Sequence, residues 1–237
     1  GLRLPVKFLS PYKAANIIDF WRRWNVTLSR FLRTYLYYSL GGNRKGPARR
    51  YANLMITMLL GGLWHGAAWT FVIWGGLHGL YLVINHAWRY LPLSRALPRS
   101  FMAPLAWFIT FAAVNVAWVV FRAPDLATAL RFTGSMFGAH GLSHSPREIR
   151  GALAGDDLMV IVGATLAALV LPNMPQVLQR WRLYCNLAEL DIAPLRSAVA
   201  RMLIWRPTVW WSVAAGAVLA AGIMAIAPNS EFLYFDF

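Results

Sequence analysis

The feature that most constrains the fold is the uncharged segment Ala52–Val83, which holds no Asp, Glu, Lys or Arg over 32 consecutive positions. A membrane-spanning helix needs about 20 apolar residues, so this segment is too long for one straight span. Glycines interrupt it, most centrally at Gly66. The segment therefore predicts two membrane helices that meet near Gly66.

Two histidines, His65 and His78, lie inside this uncharged segment. An ionisable side chain at membrane depth is costly and usually faces a cavity or the protein interior. Irregular backbone at that depth is tolerated only under the same conditions. His65, at the glycine-rich break, is therefore a candidate catalytic residue. For His78, in the motif WGGLHG, a supporting role and a place in a small-residue packing face both remain open.

The composition identifies the class of protein. Of 237 residues, 58% are hydrophobic and 14% are charged, whereas soluble domains carry about 25% charged residues. We therefore predict an all-α integral membrane protein. The net charge of +14 is better explained by contacts with anionic lipid headgroups than by binding to nucleic acid. The single cysteine, Cys185, excludes an internal disulfide, and no metal site is expected.

The segment Ile17–Leu36 is predicted to be one amphipathic helix in the membrane interface. On a helical wheel one face is apolar and aromatic, Phe20 and Trp21 among its residues, and the opposite face carries arginines, Arg22 and Arg33 among them. Asn25 lies on the flank of the apolar face and could point into the protein.

A basic loop, Gly41–Arg50, is predicted to follow this helix. Its positive charge makes it the best candidate for a cytoplasmic loop, although every later loop is also basic. The cationic side chains here could contact lipid headgroups, or they could hold a phosphorylated ligand; they are Arg44, Lys45, Arg49, Arg50 and the nearby Arg33. The sequence leaves both interpretations open.

Three further membrane spans are predicted, so the expected total is about five, with interfacial helices between them. The later segments are the spans Ala103–Phe121, Leu158–Leu171 and Val209–Ala227, the surface helix Arg122–Phe137, and the basic connection Gln176–Arg206. His140 and His144 lie in a polar loop and are interpreted as solvated side chains. We find no nucleotide-binding glycine motif, zinc-protease motif or Ser-His-Asp signature.

Two long motifs resemble a known family. FWRRWNVTLSRFLRTYLYYSLGGNRKG (Phe20–Gly46) and NLMITMLLGGLWHGAAWTFVIWGGLHG (Asn53–Gly79) are similar to the membrane-bound O-acyltransferase (MBOAT) superfamily, most of all to bacterial alginate O-acetyltransferase membrane proteins. The resemblance implies a polytopic helical bundle with a tunnel. It also implies that residues 1–237 are the C-terminal half of one MBOAT domain. Its parts would be residues 1–50 (interfacial helix and basic loop), 51–90 (histidine segments) and 91–237 (remaining spans).

The resemblance also implies a chemistry. The family's WHG histidine corresponds to His65, and the polar position of its FWxxW motif corresponds to Asn25, where the bacterial polysaccharide branch more often carries histidine. His65 would act as the general base, and Asn25, Trp64 or backbone N–H groups near Gly66 would stabilise the oxyanion. Further residues predicted to contact the substrate or the donor are Trp64, His78, Arg44 and Lys45.

The implied reaction is acetyl transfer in the bacterial inner membrane. The donor would be acetyl-CoA or a related acyl carrier, used as a substrate with no bound cofactor. The acceptor would be a hydroxyl of an exported polysaccharide, reached through a periplasmic acetyltransferase partner. Two alternatives remain: an MBOAT enzyme acting on a lipid, a teichoic acid carrier or a protein, and a non-enzymatic transporter or scaffold.

Overall fold

A computed structural model describes residues 5–92, 98–139, 156–181 and 201–224. Within these ranges every regular element is helical, as the sequence predicts. Residues 5–171 form one compact unit, and the described residues from Pro172 onward belong to a second. Predictions for His140, His144 and most of the Gln176–Arg206 connection lie outside the described residues.

The predicted single helix over Ile17–Leu36 is wrong, because the chain breaks at Trp24 and Asn25. It forms α1 (Ile17–Arg23), α2 (Val26–Phe31) and a π-helical turn (Leu32–Tyr37). Asn25 adopts the left-handed conformation, with φ 38°, which asparagine tolerates better than most residues.

Non-local hydrogen bonds satisfy the backbone groups that this break would otherwise leave without partners. The N–H of Val26 donates to the carbonyl of Lys7 at 2.8 Å, and the N–H of Leu9 donates to the carbonyl of Arg23 at 2.9 Å. An extended segment before α1 therefore replaces the helical hydrogen bonds that the break removes.

The uncharged segment forms two helices, α3 (Gly46–Leu63) and α4 (Trp69–Trp88), as predicted. Gly66 lies in the intervening turn with φ 150°, a conformation that side chains disfavour. At 18 and 20 residues the helices are about 27–30 Å long. The predicted basic loop is shorter than expected, because α3 begins at Gly46 and includes Arg49 and Arg50 in its first two turns.

Glycines let α3 and α4 pack backbone against backbone. A Cβ added at Gly62 would overlap the carbonyl oxygen of Phe71 and lie 3.2 Å from the Cα of Gly75. A Cβ at Gly79 would lie 2.8 Å from the sulfur of Met55. The glycines of the WGGLHG motif therefore form a helix-packing face, in agreement with the structural interpretation of this motif.

Two further helices complete the packing around α4. Helix α5 (Arg99–Arg122) packs against α4 and buries Val114, Ala117 and Val120. Helix α6 (Leu126–Met136) follows, capped by Asp125, whose carboxylate accepts a hydrogen bond from the N–H of Thr128 at 2.7 Å. The surface helix is thus present, but it begins four residues later than the predicted Arg122.

The remaining described helices are α7 (Asp156–Val170), the single turn α8 (Met174–Val177) and α9 (Val209–Met224). Among the described residues, only Ser100–Arg122 forms a helix both long and apolar enough to cross a membrane by length and composition. Leu158–Val170 and Val209–Met224 are shorter apolar helices. The count of about five membrane segments therefore stays a prediction.

Candidate functional site

His65 lies in the turn between α3 and α4, inside a group of aromatic rings. Its backbone N–H donates to the carbonyl of Gly62 at 3.0 Å, which fixes the turn. The imidazole centroid is 5.3 Å from Trp74, 5.1 Å from Phe121 on α5 and 5.0 Å from Trp64, each at a nearly perpendicular ring angle. Three helical elements therefore position a half-buried imidazole.

His78 lies 13 positions further along, on the buried face of α4, and is fully buried. Its ring stacks on Phe20 at 5.9 Å and meets Trp21 and Trp74 edge-on at 5.1 and 4.8 Å. Neither of its ring nitrogens has a hydrogen-bond partner among the described residues. Trp74 contacts both histidines, so the structure brings His65 and His78 together around one indole.

Asn25 begins α2, where its side chain acts as a helix cap. The Oδ1 atom accepts hydrogen bonds from the Thr27 hydroxyl at 3.2 Å and from the Leu28 N–H at 3.4 Å. The neighbouring Trp24 stacks on Phe20, which in turn stacks on His78. Asn25 thus belongs to the break that orients the aromatic cluster, a cap role that the helical-wheel interpretation missed.

The backbone N–H groups of Trp64, His65 and Gly66 already donate hydrogen bonds within the turn. That of Gly66 donates to the carbonyl of Leu63 at 3.1 Å, and that of Trp64 donates to Leu60 at 3.0 Å. The oxyanion roles that the sequence suggested for the side chains of Asn25 and Trp64 stay predictions. The Trp64 side chain is 61% exposed beside His65.

A cavity of about 440 Å³ opens between the N-terminal helices and the α3–α4 pair. Three arginines, Arg22, Arg33 and Arg50, line it, and none of its lining residues is acidic. Its apolar lining includes Leu32, Met58 and Leu82, with Trp21 beside them. The cavity is also lined by two tyrosines and a histidine, Tyr37, Tyr38 and His86. A cationic cavity with an apolar side suits an anionic ligand that also carries apolar groups.

Not all of the three arginines that line the cavity were predicted from the sequence to hold a phosphorylated ligand. Arg44 and Lys45 are exposed in the turn before α3 and are not among the lining residues. From the sequence, Arg22 and Arg33 were placed on the basic face of a single interfacial helix, only Arg33 was grouped with the basic loop, and His86 was not among the predicted site residues. The break at Asn25 changes the direction of the chain, and this change could not be read from periodicity.

Two neighbouring indoles, those of Trp21 and Trp74, lie between the cavity and His65. Trp21 lines the cavity and lies 6.0 Å from Trp74, whose ring contacts His65. The described residues contain no group of three or more His, Cys, Asp or Glu side chains that could hold a metal ion. The site thus combines a histidine, an aromatic wall and a cationic cavity.

The chain is similar to a known protein family and to several characterised or named bacterial proteins. The model of the membrane-bound O-acyltransferase (MBOAT) family matches residues 2–129. A peptidoglycan O-acetyltransferase of Helicobacter pylori is 51% identical over 143 residues, which are 60% of this chain and 27% of that protein. A probable alginate O-acetylase AlgI of Pseudomonas fluorescens is 46% identical over 169 residues, which are 70% of this chain and 33% of that protein.

A more distant relative is a teichoic acid D-alanyltransferase of Streptococcus thermophilus, 28% identical over 139 residues, which are 51% of this chain and 34% of that protein. The chain therefore matches about a quarter to a third of the length of these relatives. The family match, over residues 2–129, includes His65, His78, Asn25 and the three arginines that line the cavity.

Proposed function

The chain belongs to the membrane-bound O-acyltransferase family, and on that premise we propose that the complete protein is an acetyltransferase of the bacterial inner membrane. It moves an acetyl group from acetyl-CoA, or from a related acyl carrier, to hydroxyls of an exported polysaccharide. A periplasmic acetyltransferase partner completes the transfer. The similarity to an alginate O-acetylase and to a peptidoglycan O-acetyltransferase supports this choice of acceptor.

One observation carries the proposal: the imidazole of His65 and the arginine cavity lie on either side of the Trp21–Trp74 indole pair. A thioester donor such as acetyl-CoA carries several phosphates at one end and the reacting acyl group at the other. Arginines bind phosphate through paired N–H groups, so the phosphate end belongs in the cavity, at Arg22, Arg33 and Arg50. Arg44 and Lys45 lie outside it, and their predicted contact with the donor stays a prediction.

In the proposed reaction His65 acts as the general base. The acceptor oxygen bonds to the thioester carbonyl carbon while its proton passes to the neutral imidazole. The side chain of Asn25 or Trp64 stabilises the oxyanion. Collapse of the intermediate breaks the carbon–sulfur bond, and the departing thiolate receives the proton from His65. His78, fully buried among aromatic rings, supports the position of Trp74.

The test uses the complete protein, reconstituted with its periplasmic partner, radiolabelled acetyl-CoA and acceptor. We expect His65→Gln, which keeps a polar side chain but removes the base, to lower acetyl transfer by about 10²–10⁴-fold. His140→Gln, a histidine expected in a solvated loop, serves as the matched control and should keep full activity. Expression and CoA binding are measured for both variants.

Undiminished transfer by His65→Gln would exclude His65 as the base and direct attention to His78. The absence of acetyl-CoA turnover in every variant, wild type included, would favour the transporter or scaffold alternative. A second acceptor class is suggested by the teichoic acid relative. Offering polysaccharide and lipid-linked acceptors in parallel assays distinguishes the two.

A further inference from the structure

Arg50 differs from the other cavity arginines because several uncharged side chains hold its guanidinium. Its Nη2 lies 2.8 Å from His86 Nδ1 and 3.3 Å from His86 Nε2. The Tyr37 phenol is a further close neighbour of Arg50 in the cavity lining, and the Arg50 Cζ lies 5.7 Å from the centre of the Tyr51 ring. Since arginine has only donors, whichever His86 nitrogen lacks a proton is the acceptor.

We propose that His86 is a positioning residue, which holds the Arg50 guanidinium in the cavity as an uncharged acceptor and so presents it to a phosphate group of the donor. This inference rests on the proposed function, because it assumes that the donor's phosphates occupy the cavity. It assigns a role to a residue that contacts neither the acyl group nor His65.

The chemistry of the partner explains why a histidine suits this position. A carboxylate would neutralise Arg50 and would compete with phosphate for its N–H groups. A neutral imidazole accepts one N–H and leaves the positive charge and the remaining donors available. The only ion pair among the described residues, Asp19 with Arg23, involves an arginine that does not line the cavity.

The packing of α3 against α4 explains how the pair is brought together. Arg50 is the fifth residue of α3, and His86 lies in the last turn of α4. The close antiparallel contact at Gly62 and Gly75 lies about three helical turns away along both helices. The helix register that places Gly62 opposite Gly75 therefore also places Arg50 opposite His86.

The test compares two substitutions of His86 that differ in whether the new side chain can accept a hydrogen bond from Arg50. In asparagine, Oδ1 occupies nearly the place of the imidazole Nδ1, so His86→Asn keeps an acceptor. His86→Phe keeps a ring against Tyr51 but has no acceptor. We expect His86→Phe to raise the KM for acetyl-CoA about tenfold, with kcat within about twofold of wild type. His86→Asn should remain within about threefold of wild type in both constants.

Binding of coenzyme A to the complete protein, measured by calorimetry, provides the second readout. Arg50→Gln should weaken this binding, whereas Arg49→Gln, an exposed neighbour outside the cavity, should not. Adding His86→Phe to Arg50→Gln should cause no further loss, because both changes remove the same contact. If His86→Phe does not fold, His86→Leu replaces it.

The outcomes separate this inference from the proposed function. Weaker CoA binding by Arg50→Gln together with wild-type binding by His86→Phe would overturn the positioning role and leave the donor cavity in place. Unchanged binding by Arg50→Gln, or no CoA binding by wild type, would overturn the cavity assignment and this inference together. Equal losses in His86→Asn and His86→Phe would also overturn it, because a structural effect does not depend on an acceptor.

Discussion

At the residue scale, Asn25 has two separable roles. Its left-handed backbone, with φ 38°, permits the break between α1 and α2, and its Oδ1 caps α2. If the side chain also stabilises the oxyanion, as proposed, stability and activity should respond differently to different substitutions.

We expect Asn25→Ala to lower the free energy of unfolding by about 2 kcal/mol, because it loses the cap and strains the backbone. Asn25→Gly should cost only a few tenths of a kcal/mol, since glycine adopts this conformation freely. Thermal unfolding in detergent and acetyl transfer are measured on both variants. Full activity in a stable Asn25→Gly variant would show that the amide takes no part in catalysis.

Asp125 provides a prediction of pH dependence outside the membrane spans. The hydrogen bond from the Thr128 N–H, assisted by the Thr128 hydroxyl, lowers the pKa of the Asp125 carboxyl below its ordinary value. Its contribution to stability is therefore complete above the ordinary carboxyl pKa of about 4 and is lost as pH falls through the lower folded pKa.

Asp125→Asn keeps a capping oxygen but does not titrate. The difference in melting temperature between wild type and Asp125→Asn should therefore shrink or reverse as pH is lowered from about 7 to about 3. A difference that is constant over this range would show that the Asp125 charge does not contribute to the cap.

At the element scale, the α3–α4 pair depends on glycine at specific positions. A Cβ at Gly62 or Gly75 would overlap backbone of the opposite helix, whereas a Cβ at Gly76 would lie 3.4 Å from a methyl group of Leu59. Backbone atoms cannot move aside as a flexible side chain can, so the helices would have to separate.

We expect Gly62→Ala and Gly75→Ala to destabilise the protein by about 3 kcal/mol or more and to abolish activity. Gly76→Ala, two positions before His78, is the matched control and should be nearly neutral. Thermal unfolding and size-exclusion profiles in detergent test this expectation. Equal stability of Gly75→Ala and Gly76→Ala would contradict the close crossing.

At the scale of the whole molecule, the proposed function requires the arginine cavity to open toward the cytoplasm, where acyl-CoA donors occur. Charge alone does not assign the orientation, because all the loops are basic. Asn43 lines the cavity and is exposed in the turn before α3, so it can report which side of the membrane the cavity faces.

We expect Asn43→Cys, in a Cys185→Ser background, to react with a membrane-impermeant maleimide only after the cytoplasmic membrane is permeabilised. The Cys185→Ser protein alone provides the unlabelled control. Labelling of Asn43→Cys in cells whose cytoplasmic membrane is intact would place the cavity on the periplasmic side and would contradict cytoplasmic donor entry.

The sequence by itself determined the features that depend on local patterns. The uncharged segment and its glycines predicted two helices that separate at Gly66, and the structure has both. The paired motifs around Asn25 and His65 predicted the family, which the comparison confirms. These predictions succeeded because composition, helix length and short motifs are properties of neighbouring residues.

Only the tertiary structure determined where the arginines of the N-terminal helices lie. The break at Asn25 depends on hydrogen bonds with Lys7 and Leu9, which a helical wheel does not include. This break, with the glycine crossing of α3 and α4, places Arg22, Arg33 and Arg50 around one cavity. The sequence could not predict this arrangement because the free energy that stabilises it comes from contacts between residues far apart in the chain.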